Sequence, residues 1–114
     1  MNQTSTGQRW VFNSDVECSN PNDGVKRKVL AYDNEAMCVE HYFDEGAIGA
    51  LHSHPHLQIT YVVEGAFEFE VDGEKKIVRK GDTILKRDNA PHGCVCLEKG
   101  ILVDFFTPKR EDFV

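Results

Sequence analysis

The 114-residue chain has no stretch with the apolar rhythm of a helix longer than a turn or two. It also has no long apolar run. Residues 1–30 are polar apart from Trp10-Val11-Phe12, so neither a signal peptide nor a membrane span is expected and the cytoplasm is the expected location. Basic charge is scarce: 13 Lys and Arg stand against 19 Asp and Glu, a net charge of −6, which argues against a nucleic-acid surface. The one basic cluster, Lys75, Lys76, Arg79 and Lys80, flanks a hairpin signal and reads as solvent-facing. Four cysteines (Cys18, Cys38, Cys94, Cys96) show no CxxC spacing, so reduced thiols are expected rather than a disulfide framework or a zinc ribbon. Internal repeats are absent, and the length suits one domain with one core.

Short apolar-alternating runs punctuated by Gly and Pro are plentiful. Strands are expected at 24–32, 36–43, the run between Gly46 and Gly65, 66–71, 75–79, 83–85, 92–97 and 101–107. Asp72-Gly73 is the strongest hairpin signal, turns are expected at Gly81-Asp82 and Lys99-Gly100, and Gly65 closes the histidine-bearing run. Many short strands at regular spacing predict an all-β sandwich or barrel over 24–114. Residues 1–23 form a polar N-terminal segment, expected to be flexible, in which Trp10-Val11-Phe12 makes an edge strand or a patch for a partner subunit.

The chemistry concentrates in GAIGALHSHPHLQITYVVEG, residues 46–65. His52, His54, His56 and Gln58 occupy alternate positions, and alternate residues of a strand share a face. Two histidines so spaced stand roughly 6.5 Å apart and can lean onto one ion at about 2.0–2.1 Å from each ring nitrogen. A single histidine on a strand is more often hydrogen-bonded or exposed, so the pair needs a third from elsewhere, which His92 supplies. His56 shares the parity of the pair and reads as a pocket-lining partner for substrate or as a surface residue, whereas His41 reads as ordinary. Cys94 and Cys96 share the parity of His92 and are expected to be buried and inert, or to line the same pocket.

Asp104 interrupts an otherwise apolar run, Ile101-Leu-Val-Asp-Phe-Phe, and shares parity with Leu102 and Phe106. Facing inward it could move a proton as general acid or base; facing outward it would be a solvated surface carboxylate. Phe106 reads as core, or as a face on which a sugar packs.

These segments resemble the cupins, small double-stranded β-helix (jelly-roll) barrels. The first cupin motif runs Gly, five residues, His-x-His, three or four residues, Glu, six residues, Gly. It is matched by Gly46, His52, His54 and Gly65, with Gln58 in the Glu position. The second motif, Gly, five residues, Pro-x-Gly, two residues, His, three residues, Asn, keeps Gly81 and His92 but has Arg87, Asn89 and Cys96 at the other places. Asn89 suits a left-handed turn nearly as well as Gly.

HSHPHLQ at 52–58, PHG at 91–93 and VDFFTPKREDF at 103–113 resemble the KdgF-type cupins of pectin and alginate breakdown, which open unsaturated uronate sugars. That resemblance implies one divalent metal held by His52, His54, Gln58 and His92, catalytic roles for Asp104 and Phe106, and a substrate contact from Arg110, beside the substrate-binding role that parity suggests for His56. Three imidazoles and an amide leave the ion its full +2 charge, which favours a carboxylated sugar, with the ion holding the carboxylate and an adjacent oxygen. Nickel or zinc is the expected metal, with manganese or iron compatible with the donors. The implied reaction is ring opening and ketonisation of 4,5-unsaturated monouronates to linear keto-uronates. The alternatives are an iron-dependent cupin dioxygenase and a non-catalytic small-molecule-binding cupin. Cupins commonly pair through the N-terminal region, so a homodimer is expected.

Overall fold

The computed structural model describes residues 4–114. Eight strands carry the fold: β1 (Ser19–Asn22), β2 (Val25–Tyr32), β3 (Met37–Phe43), β4 (Ile48–His52), β5 (Leu57–Val71), β6 (Glu74–Arg79), β7 (Thr83–Lys86) and β8 (His92–Thr107). The only helical turns among the described residues are 3-10 turns at Asn13–Asp15 and Glu111–Phe113. The all-β expectation therefore holds. No described helix is long and apolar enough to cross a membrane.

Two long antiparallel strands, β5 and β8, form the spine and pair from Leu57↔Thr107 to Val71↔His92. Each belongs to two layers. The Thr107 end of β8 pairs with β3 and the Leu57 end of β5 with β7, while their opposite ends pair with β4 and β6. One layer therefore runs β1-β2-β3-β8-β5-β7 and the other β4-β8-β5-β6, a jelly-roll arrangement closed on a common interior.

The break expected between runs at Gly65 and the turn expected at Lys99-Gly100 are instead the places where these two strands bend together. Register shifts cluster between Val62 and Phe67. A Cβ on Gly65, whose φ is +86°, would lie 2.6 Å from the backbone of Glu98, Lys99 and Gly100, and one on Gly100 would meet the carbonyl of Glu64. Glycine at both positions lets the backbones touch, so the chain bends without leaving the sheet. The Asp72-Gly73 hairpin forms as expected, with both residues at positive φ, the two-residue turn that matches strand twist.

Inward-facing residues fill the interior. Val25, Phe43, Val62, Phe67, Phe69, Cys94, Cys96 and Leu102 make one apolar cluster; Met37, Val39 and Phe106 make a second, against which Phe113 of the C-terminal turn packs. All four cysteines are free thiols. The N-terminal edge strand is β1, not Trp10-Val11-Phe12, which lies outside the sheet with Trp10 71% and Phe12 64% exposed. Of the segment 1–23, residues 1–3 lie outside the described residues.

Candidate metal centre

The histidines do not sit on one strand. His52 ends β4, Gln58 is the second residue of β5, and 53–56 form the connection between them. Pro55, which has no N–H for a ladder, lies in that connection. The chain folds back there, so the donors converge by a turn rather than by strand parity. His92 opens β8 and pairs across the sheet with His52, with ring centroids 4.4 Å apart. Its approach is set by Asp88 and Asn89, both at positive φ, where Asn and Asp are tolerated best.

His52, His54 and His92 bring ring nitrogens within 4.8 Å of one another, a triad able to bind a metal ion. Their hydrogen bonds test the fit. His52 donates Nδ1–H to the carbonyl of Ala50 at 2.7 Å, and His92 donates Nδ1–H to that of Ala90 at 2.9 Å. Both tautomers are thereby set, and each Nε2 is left as a bare acceptor, the arrangement of a ligating imidazole held by its other nitrogen. His92 Nε2 is buried with no partner. Gln58 Oε1 lies 2.9 Å from His54 Nε2, and two donors each about 2.1 Å from one ion at right angles are about 3.0 Å apart. The three imidazoles and the Gln58 oxygen fit a single divalent ion. Burial pushes His54 and His92 down to about 4, with the nearby charge of Arg110 adding to the effect at His54, so both rings are neutral at ordinary pH.

Asp104 faces inward at 4% exposure. Its Oδ1 accepts from Thr60 Oγ1 at 2.5 Å and Gln58 Nε2 at 2.8 Å, and its Oδ2 accepts from His41 Nδ1 at 2.7 Å. Burial alone would raise its proton affinity. The His41 hydrogen bond, the Lys86 charge and the Thr60 hydroxyl outweigh burial and hold it well below the usual carboxylate range. Because Gln58 gives its N–H to Asp104, its carbonyl is turned toward His54.

Phe106 is buried beside His54 and lines a cavity of about 350 Å³ that His52, Gln58, His92 and Asp104 also line. Arg110 also lines it, with its Nε and Nη2 forked onto Asp112 at 3.0 and 2.8 Å. His56 is half-buried and donates from Nε2 to the carbonyl of Lys109 at 3.1 Å, which ties the C-terminal segment down; it is not among the cavity-lining residues. Cys94 lines the cavity, and burial raises its thiol to about 11, which keeps it protonated; Cys96 lies in the core.

Sequence reasoning missed three polar residues here. His41, which reads as ordinary in the sequence, is buried and bonded to Asp104. Arg27 donates Nε–H to His41 Nε2 at 3.0 Å, so the other ring nitrogen carries the hydrogen given to Asp104. Lys86, 3% exposed, donates to Thr60 Oγ1 at 2.7 Å, with burial lowering its proton affinity. A visible signal existed, since Arg27 alternates with Val25 and Val29, and His41 with Val39 and Phe43.

A closed two-layer barrel with a histidine triad at the mouth of its interior defines a class, and comparison with known proteins agrees. The cupin domain family matches residues 39–105, and the chain belongs to that family. It is 40% identical over 109 residues to the pectin degradation protein KdgF of Dickeya dadantii (strain 3937), covering 94% of this chain and 99% of that protein. Among solved structures, an RmlC-like cupin from Shewanella frigidimarina NCIMB 400 superimposes with a TM-score of 0.91 at 41% identity over all of both chains. KdgF from Halomonas sp. superimposes with a TM-score of 0.89 at 37% identity over 94% of this chain and 99% of that one.

Proposed function

We propose that this chain is a metal-dependent enzyme that opens the ring of a 4,5-unsaturated monouronate and yields the linear keto-uronate. The observation that carries the reading is a buried carboxylate on β8, hydrogen-bonded to the Gln58 amide, whose oxygen lies 2.9 Å from His54 of the histidine triad. Similarity to a pectin degradation protein over nearly the whole chain supports it. A cavity of about 350 Å³ is at the small end for ligand sites and suits one sugar ring rather than a polymer.

His52, His54, Gln58 and His92 would hold one divalent ion, nickel or zinc in the first instance. When bound, the ion would supply a +2 charge that stabilises negative charge developing on the sugar's oxygens. The remaining chemistry belongs to Asp104. Its Oδ1 is occupied by two donors, while Oδ2 accepts only from His41 and keeps a lone pair for the substrate. Oδ2 takes the proton of the anomeric hydroxyl, the bond from C1 to the ring oxygen breaks, and C1 becomes an aldehyde. The electron pair left on the former ring oxygen makes an enolate conjugated with C4, and Asp104 returns its proton to C4 to give the ketone at C5. The step is an isomerisation and consumes neither water nor oxygen.

Phe106 forms an apolar wall on which the sugar packs, and Arg110, neutralised by Asp112, borders the substrate. His56 acts on that border indirectly, through the Lys109 carbonyl. The reading includes a homodimer in which the exposed Trp10 and Phe12 meet a second copy. Incubation of the metal-loaded protein with unsaturated galacturonate under nitrogen should bleach the ring double-bond absorbance. Absence of bleaching, or bleaching only with oxygen present, would refute the assignment.

A further inference from the structure

Besides the histidines, three cationic side chains line the cavity: Arg27, Lys86 and Arg110. Two are matched from within the chain. Arg110 is forked onto Asp112, and Lys86 reaches Asp104 through the Thr60 hydroxyl. Arg27 is not so matched. Its Nε–H goes to an imidazole, it takes part in no ion pair among the described residues, and no described acceptor receives its terminal Nη groups. The guanidinium stacks 3.7 Å from the ring centroid of Phe113, which fixes its plane, and that same ring also carries Arg110 at 4.4 Å. Burial, and then the neighbouring Arg110 charge, depress the proton affinity of Arg27; the Asp112 and Asp104 charges act against this from nearby, but neither carboxylate pairs with the guanidinium directly.

We propose that Arg27 receives the carboxylate of the substrate, so that recognition of the acid group belongs to β2 rather than to a cation held by the histidines. The proposal rests on the ring-opening reading for the identity of the sugar. A fixed guanidinium plane with free N–H donors matches a carboxylate bidentately. Only His41 stands between Arg27 and Asp104. In a 4,5-unsaturated uronate the carboxylate is carried on C5, and C4 is the next atom. Anchoring the acid group at Arg27 therefore brings the carbon to be protonated toward Asp104.

The test uses the metal-loaded full chain, titrated calorimetrically with D-galacturonate and with the neutral sugar D-galactose, before and after treatment with a chelator. Galacturonate should bind the wild type at least about 10-fold more tightly than galactose, and Arg27→Gln should erase that preference with metal content unchanged. Arg27→Lys, which keeps the charge and loses the fork, should fall between them. In turnover the loss should appear mainly in KM. The carboxylate preference should survive chelation. It would be overturned if the preference vanished on chelation and ignored Arg27→Gln, or if the substitution lowered kcat with KM unchanged. Should Arg27→Gln fail to fold, Arg27→Lys reads the same contrast. A wild type that prefers galacturonate through Arg27 yet leaves the unsaturated sugar untouched supports this assignment and sinks the ring-opening reading alone.

Discussion

Replacing Asp104 with Asn keeps the side-chain shape and removes its charge. The carboxylate accepts from Thr60 and Gln58 on one oxygen and from His41 on the other. If the asparagine oxygen keeps the first two, its NH2 group faces the Nδ1–H of His41. His41 cannot move that hydrogen to Nε2, because Arg27 donates there at 3.0 Å. One buried donor is thus left without an acceptor, at about 1–3 kcal/mol, and two charge-assisted bonds become neutral ones. Lys86 also loses the anion it reaches through Thr60. The sum falls in the range for breaking a buried charge network, about 3–5 kcal/mol. For a domain of this size, Tm should fall by on the order of 15 °C. Turnover should fall by roughly 10²–10⁴-fold, the usual worth of a general acid–base. Calorimetric melting and the double-bond absorbance assay measure the two effects separately. An Asp104→Asn protein that melts within a few degrees of wild type and keeps a tenth or more of its turnover would refute both the network and the catalytic role.

Two further outcomes follow from the same geometry. Gln58→Glu sets a second carboxylate where Gln58 now gives Asp104 a hydrogen at 2.8 Å, so the metal-free variant should lose about 1–3 kcal/mol in urea denaturation yet hold a divalent ion more tightly in chelator competition; equal metal-free stability would contradict this orientation of the amide. His54 and His92 are held near 4 in the folded chain against an ordinary value of about 6.5, so between those values the unfolded chain binds protons that the folded chain does not, and stability rises with pH through that window. Metal-free protein should therefore lose up to roughly 2 kcal/mol per histidine as pH falls from 6.5 to 5, and an unchanged urea midpoint across that range would show the rings to be solvated.

The barrel is legible in the sequence because alternation, glycine and the Asp72-Gly73 hairpin are local signals that tertiary packing does not override. The sequence misleads where one glycine can serve two ends. Gly65 and Gly100 look like turn residues, but each is required by the other, because two backbones meet at a bend that no single segment reveals. The histidine run brings its side chains together by a route other than the one its spacing suggests. Period two puts His52, His54 and Gln58 on one face of a single strand, whereas the connection around Pro55 brings them together in space.

The three polar residues that escape a reading of the sequence share a property with Asp104, which does not. Asp104 stands out because a charge interrupts an apolar strand at an inward position. Arg27, His41 and Lys86 interrupt β2, β3 and β7 in the same way, and all three end in the same hydrogen-bonded web. What hides them is their company, since β2 and β3 also carry outward charges such as Lys26, Lys28 and Glu40 that dilute the signal. Strand parity alone separates the inward group from the outward one. A buried charge is costly unless another buried group answers it, so one inward charge in a small barrel predicts others opposite it. Asp104 by itself therefore implies inward cations on neighbouring strands. Lys86 is the cation answered within the chain and Arg27 the one left facing the cavity, and on that asymmetry the proposed recognition of an acidic sugar rests.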